Sequence, residues 1–527
     1  MKKIKSLFIM GFLVWAAMFI MTACGGGTDE NGEPTPSAPG TPTINDIFAD
    51  NRQLVVLWGA VNNANTYNLY WNTTGGVTTS DTSLTGLLTT YYVHSELSLF
   101  KTYSYRVSAV NAGGASGLSS EVSALAAGIP EELWKRTAVD AADGDELGAS
   151  IAISGDYIVV GAPDKAGGGF ERGAAYVFYR NYGGPDNWGQ AKKLTASIPD
   201  DYDWFGCSVA ISGDYVVVGA DGDDDGGSQA GAAYIYARNQ GGTDNWGQVA
   251  KLTASDAAAG DYFGNSVAIS GDYVVVGARY EMGAGSNYGA AYVFDRNFGG
   301  PDNWGEVQKL SASDAQNGDQ FGISVAISGD TAVVGAHMED GAGGTNRGAA
   351  YIFNRDEGGT DNWGEVAIIA ASDADDYDWF GYSVAISGDT AVVGAVFDDG
   401  SATNSGAAYI FNRDEGGADN WGQVVKLVAS DAEVNENFGI SVGIYGDYVV
   451  VGADQEDGGG TVRGAAYVYD RNLGGMDNWG EAIKLVASDA EDSDYFGMSV
   501  AIYGDYAVVG ANREDGGGTD RGAIYIF

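Results

Sequence analysis

The carboxylates are where this chain could do chemistry. Asp221, Asp223 and Asp225 stand at alternate positions in the string DGDDDGG, and oxygen ligands so spaced are what a hard cation such as Ca²⁺ requires. Acid pairs recur downstream as Glu339 and Asp340, Asp398 and Asp399, Glu456 and Asp457, Glu514 and Asp515. A second series runs through Asp200, Asp201 and Asp203, then Asp375, Asp376 and Asp378, then Glu491, Asp492 and Asp494. These are candidate ligand- or cation-binding loops, with solvated turn acids as the plainer reading, because the alternating triplet is complete once only. Paired carboxylates also suit glycoside hydrolysis. Acids spread so evenly, however, single out no catalytic pair. No Ser-His-Asp or Cys-His set, HExxH or phosphate-cradling loop can be built, and His94 and His337 are the only histidines. No catalytic residue is assigned.

What positions these acids is an internal repeat. A Phe-Gly or Leu-Gly step places its glycine at Gly148, Gly206, Gly264, Gly322, Gly381, Gly439 and Gly497, a spacing of 58 residues with one of 59. So long a period signals a propeller, solenoid or array, since one copy cannot bury its own apolar faces. In the third copy, residues 265–270 read as a strand, Gly271-Asp272 as a hairpin turn and 273–278 (YVVVGA) as the returning strand. That apolar run suits a strand covered on both faces. Residues 289–296 and 306–313 complete four strands, and the equivalents of Asp272 (Asp156, Asp214, Asp330, Asp389, Asp447, Asp505) read as turn residues.

The fourth strand carries Lys193, Lys251, Lys309, Lys426 or Lys484, a charge suited to guarding an outer edge. Loops joining the second to the third strand, and the fourth to the next first, share one face, which becomes an acidic rim. Arg172, Arg347, Arg463 and Arg521 are placed to pair with those acids. The DNWG turns, with Trp188, Trp246, Trp304, Trp363, Trp421 and Trp479, fall on the other face, where packing between blades outweighs stacking on sugars. The array stops at Phe527 after a third strand, and residues 133–139 (LWKRTAV) precede Leu147 at the spacing of a fourth. A ring of seven four-stranded blades, closed by pairing its ends, explains both features.

Phe-Gly, a strand, Val-Gly-Ala and then Gly-Ala-Ala-Tyr-Val-Phe resemble the FG-GAP repeat of integrin α-chain propellers and their bacterial relatives. The resemblance implies a propeller over about 395 of the 527 residues and says less of function. The DxDxDG-type calcium loop that many such repeats carry between their first two strands is absent, so the turn aspartates inherit no metal role.

Upstream, residues 1–23 have a basic start, an apolar run from Leu7 to Met21 that is short for a spanning helix, and a Thr22-Ala23 step before Cys24. This resembles a bacterial lipobox, with Met21 where Leu is usual, and implies lipidation of Cys24. Gly25 after it resembles sorting to an outer membrane. Residues 24–38 read as a flexible linker. Residues 39–126 carry short alternating runs, 54–58, 67–71 and 103–110, that argue a small β-sandwich. With Trp58, Tyr67, Tyr70 and Tyr103 in its core positions, the segment resembles a fibronectin type III domain, a family used mostly as spacers. His94 reads as an exposed loop residue, and Cys207, at a position that varies between copies, as non-catalytic.

The chain has a formal net charge of -44, which disfavours nucleic acid and anionic lipid as partners of a basic patch. The expectation is therefore an all-β protein with a seven-bladed β-propeller over 132–527, preceded by a small fibronectin type III-like β-sandwich. It is expected to be exported, lipid-anchored to the cell envelope and monomeric, and to bind an extracellular protein or polysaccharide. A glycosidase or lyase is the alternative. No cofactor is assigned beyond a Ca²⁺ ion at Asp221, Asp223 and Asp225.

Overall fold

Gly271-Asp272 reverses the chain with only the glycine at positive φ, so Ser270 pairs with Tyr273 and two strands run antiparallel. In this copy Phe263–Ser270 lies against Tyr273–Ala278, then Ala290–Asp295, then Gly305–Leu310. Six such four-stranded meanders follow one another, and a seventh is assembled from both ends of the unit. Val274, Val275 and Val276 are all buried, which adjacent strand residues can be only when both faces of the sheet are covered.

The computed structural model describes residues 36–50, 53–95, 97, 101–126, 132–282, 287–341, 344–457, 461–473, 475 and 477–527. The expected signal peptide, Cys24 and most of the expected linker lie outside the described residues. The described chain falls into two compact units that divide after Ala126.

In the second unit the first strands of neighbouring blades touch all the way round, from Ser150–Ser154 to Phe496–Tyr503 and back to Ser150–Ser154. They form the inner wall of a closed seven-bladed propeller. Its seam is the expected one: Trp134–Arg136 completes the last blade by pairing Ile524 with Arg136, Tyr525 with Lys135 and Ile526 with Trp134.

The repeat motif is packing logic. Phe263 is buried edge-on to Tyr292 and Phe294, with ring centroids 5.5 and 6.0 Å away. Gly277 tolerates no side chain, because a Cβ there would lie 2.1 Å from the Gly322 carbonyl of the next blade. Ser266 Oγ donates to that same carbonyl at 2.9 Å. Trp304 is buried against Tyr215 of the preceding blade at 5.4 Å, and all six DNWG tryptophans are likewise buried, so they bind blades together.

In the first unit one sheet holds Ile44–Asp50, Gln53–Trp58 and Tyr91–His94, and the other is built on Thr66–Asn72 and Thr102–Asn111. Leu54, Val56, Trp58, Leu69, Tyr105 and Val107 fill the core of this small sandwich. His94 is not a loop residue. It ends a strand, and its Nδ1 lies 2.8 Å from the Tyr105 hydroxyl, with burial holding its pKa below the usual value.

Candidate ligand-binding mouth of the propeller

Parallel bridges from Gly231 to Phe263 and from Gly289 to Phe321 bring each second-to-third loop against the connection that enters the next blade. The two acidic loop series therefore meet on one face, where nine of the twenty named carboxylates are paired with a lysine or arginine and seven more accept a backbone N–H. In the second blade Lys251 Nζ sits 2.7 Å from Asp223 Oδ2 and 2.5 Å from Asp225 Oδ2, and the Tyr234 hydroxyl donates to Asp223 at 2.6 Å. Asp221 instead lies 3.6 Å from the Arg279 guanidinium. The triplet thus does not converge as a cation-binding set, because an ammonium already occupies the position between Asp223 and Asp225. Among the described residues no group of three or more His, Cys, Asp or Glu is placed to hold a metal ion.

The other candidate acids follow the same plan. Lys426 meets Asp398 and Asp373, both at 2.8 Å. Lys484 meets Glu456 at 2.8 Å and Asp431 at 2.7 Å, and Lys135 meets Glu514 at 2.5 Å and Asp489 at 2.7 Å. The fourth-strand lysines are blade clamps rather than edge guards. Asp340, Asp399, Asp457 and Asp515 each accept a backbone N–H from five or six residues ahead in their own loops, at 3.0 to 3.1 Å. Two blades depart from the plan. Lys165 replaces the loop acid in the first and reaches Asp145 at 2.6 Å, while Ile368 replaces the lysine beside Glu339 in the fourth.

In the second series Asp203, Asp378 and Asp494 are buried and accept the backbone N–H three residues earlier, at 2.7 Å. Asp201, Asp376 and Asp492 bind Arg172, Arg347 and Arg463 at 2.8, 3.0 and 3.2 Å, the pairing expected of those arginines.

What the repeat leaves free lies at the top of the inner wall. The residue before each Phe-Gly or Leu-Gly differs from copy to copy: Glu146, Trp204, Tyr262, Gln320, Trp379, Asn437 and Tyr495. All seven have φ between 52° and 59°. Glycine or asparagine would take that left-handed conformation most cheaply, yet four of the seven are aromatic. The two residues after each Gly-Ala also vary, the first including Asp221, Arg279, His337, Asp454 and Asn512 and the second Asp164, Phe397 and Arg513.

These two sets touch both within a blade and between neighbouring blades. His337 is edge-on to Trp379 at 5.1 Å and Tyr382 at 5.4 Å, and Trp379 packs on Phe397 at 4.5 Å. Arg279 lies over Tyr262 and Tyr280. Trp204 Nε1 donates to Glu171 at 2.9 Å, Asn437 to Asp454 at 3.0 Å and Asn512 to Glu146 at 3.1 Å. The result is an axial mouth lined by aromatic rings and a few charges.

Its electrostatics are uneven. Burial, reinforced by Glu146 and Glu171, pushes Asp164 up to about 6, and burial does the same to Asp454. Burial and the Arg279 charge lower His337 to about 4, so its imidazole is neutral at pH 7. Arg279 Nε, His337 Nδ1 and Trp379 Nε1 are buried without a hydrogen-bond partner. Cys207 lies in the same region, its thiol pushed well up by burial and by Asp221, which makes it inert as a nucleophile. Apart from Asp221, none of these positions is a site candidate in the sequence, because they vary. Variation inside an otherwise fixed repeat was the signal that could have found them.

A family profile described as FG-GAP repeat matches residues 131–178, 188–236, 246–294, 304–353, 363–411, 421–469 and 479–527. No curated protein matches. A solved Fn3-like protein from Clostridium thermocellum is similar at 26% identity over 17% of this chain and 91% of that one, with a TM-score of 0.15. A structure described as FN3tt mut is similar at 19% identity over 17% of this chain and 98% of that one, again with a TM-score of 0.15.

Proposed function

The chain belongs to the FG-GAP repeat family, and on that premise we propose that it is a non-catalytic binding protein whose axial mouth captures an extracellular protein or polysaccharide. FG-GAP repeats occur in integrin-like, ligand-binding propellers, which supports the class of function. One observation carries the choice of site: residues that break the repeat gather in the mouth and hold four buried polar atoms without partners, on Arg279, His337, Trp379 and Asn512, whereas the loop acids are largely consumed by lysines, arginines and backbone, with one oxygen each of Glu456 and Glu514 left over. Buried polar groups left unpaired call for a specific explanation, and a polar ligand supplies one. In this reading Cys24 is the lipid attachment point, the sandwich is a spacer of fibronectin type III type, and a monomeric propeller is displayed outside the cell.

A second reading, a glycosidase or lyase, draws on Asp164, which is held near 6 beside Glu146 and Glu171. A glycan array and a protein pull-down on the soluble fragment from Gly25, with and without EDTA, separate the two. The binding reading expects capture without turnover, unaffected by EDTA, and at least tenfold weaker in Trp204→Ala/Trp379→Ala. Turnover of a polysaccharide would overturn it in favour of the second.

A further inference from the structure

On the face opposite the mouth, the residue that opens the second strand meets the DNWG turn of the following blade wherever that blade has one, six times in seven. Five of the seven are tyrosines, and the four that meet such a turn, all but Tyr448, have the same company each time. Tyr273 lies 5.4 Å from Trp363 at 67°, with the Arg355 guanidinium 5.7 Å over the ring and the hydroxyl 3.0 Å from Asp361 Oδ1. Tyr157 has Trp246, Arg238 and Asp244 at 5.3, 5.6 and 3.3 Å. Tyr215 and Tyr506 sit equally against Trp304 and Arg296, and against Trp188 and Arg180.

Two consecutive blades omit the ring and keep its partners. Thr331 stands where the phenol would be, yet Arg413, Asp419 and Trp421 are all present, and a cavity of about 420 Å³ opens among them. Thr390 leaves a smaller cavity of about 160 Å³ beside Arg471, Asp477 and Trp479. With no phenol to cover, each arginine settles on its own tryptophan, at 5.4 and 5.0 Å, and donates to the threonine hydroxyl at 2.8 and 2.7 Å. The indole N–H groups of Trp188, Trp246, Trp304 and Trp363 are buried without a partner, whereas those of Trp421 and Trp479 are not among the buried orphans. These cavities follow from two small residues in a frame built for a large one.

We propose that these two pockets bind phenolic rings supplied from outside the chain, with the pocket beside Trp421 as the larger site. The chain itself displays the recognition geometry four times: an indole edge-on to the ring and a guanidinium over its face, with a carboxylate at the hydroxyl in two of the four. A ring arriving from solvent passes the exposed Asp419 and Glu357 and enters hydroxyl first, so it fills the slot of the chain's own rings reversed end for end, with Thr331 and Asn354 rather than Asp419 at its hydroxyl. The chemistry is shared by a free phenolic compound and by a tyrosine side chain of a partner protein. The pockets lie on the opposite face from the mouth, so this inference does not depend on the function proposed above.

Ligand-observed NMR on the soluble fragment tests it, with p-cresol and the peptide Gly-Gly-Tyr-Gly-Gly as probes and cyclohexanol as a control. Saturation transfer to p-cresol and to the peptide is expected, with none to cyclohexanol. Peptide binding tighter than p-cresol by tenfold or more would identify a protein side chain as the source; equal or weaker peptide binding would identify a small phenol. Thr331→Tyr/Thr390→Tyr fills both pockets with the chain's own rings, as four blades already do, and is expected to melt higher and lose the signal. The single variant Thr331→Tyr should lose the larger part of it. Absence of transfer to either phenolic probe, or transfer unchanged in the filled variants, would overturn the proposal.

Discussion

Ser499 Oγ donates to the Gly148 carbonyl at 2.6 Å, tying the seventh blade to the first across 351 residues of chain. The same bond links every other neighbouring pair, from Ser150 to Gly206 at 2.8 Å through Ser441 to Gly497 at 2.8 Å. The inner wall is therefore stitched by a complete ring of hydroxyls in addition to the strand pairing at the seam. Ser499→Ala leaves the Gly148 carbonyl without that donor and is expected to cost about 1–3 kcal/mol. Chemical denaturation should show the loss as a lower midpoint with an unchanged slope.

The lysine clamps give a paired test. Lys251→Met strands Asp223, which is buried, and is expected to destabilise by about 3 kcal/mol, the low end for removing one partner of a buried ion pair, because Lys251 itself is partly exposed. The fourth blade offers the reverse experiment. Ile368 faces Tyr351 in the register that Lys309 and Lys426 hold opposite Tyr292 and Tyr409. Ile368→Lys supplies an ammonium to Asp314 and Glu339 and should stabilise by about 1–2 kcal/mol, less than a fully buried charged hydrogen bond. Thermal melts of both variants against the parent chain decide it.

Stability should peak in mild acid. Burial raises Asp203, Asp319, Asp378 and Asp494 to about 6 in the fold. A carboxyl with a higher pKa folded than unfolded binds its proton more tightly in the native state, so its contribution is present at about pH 4 and is lost as pH rises through about 6. Asp256, Asp373, Asp431 and Asp489 behave oppositely. Against the upward push of burial, hydrogen bonds from lysine and tyrosine hold them below the usual value, so their contribution is lost as pH falls below about 4. The melting temperature is expected to be highest near pH 5, by differential scanning calorimetry at fixed ionic strength, and lower at both pH 7.5 and pH 3.

The architecture was legible in the sequence because packing repeats. The Phe263 ring, the Gly277 close approach and the Trp304 buttress recur at fixed spacing, and the orphan strand around Lys135 betrayed the closure. The site was far less legible. Asp223 and Lys251 stand 28 residues apart, and only the folded blade shows that the lysine takes the place a cation would fill. Trp204, His337 and Trp379 carry no motif, since each is defined by differing from its counterparts. Thr331 and Thr390 are conspicuous only once Tyr273 is seen against Trp363.

Everything proposed here presupposes a disk closed on itself, and backbone amide exchange at the seam tests that closure most directly. A closed ring predicts that the amides of Leu133, which donates to the Ile526 carbonyl at 2.8 Å, and of Arg136, opposite Ile524, exchange as slowly as those of Ala191 and Leu194, their counterparts in an unbroken blade. Exchange at Leu133 and Arg136 as fast as in an exposed loop would contradict the closed ring.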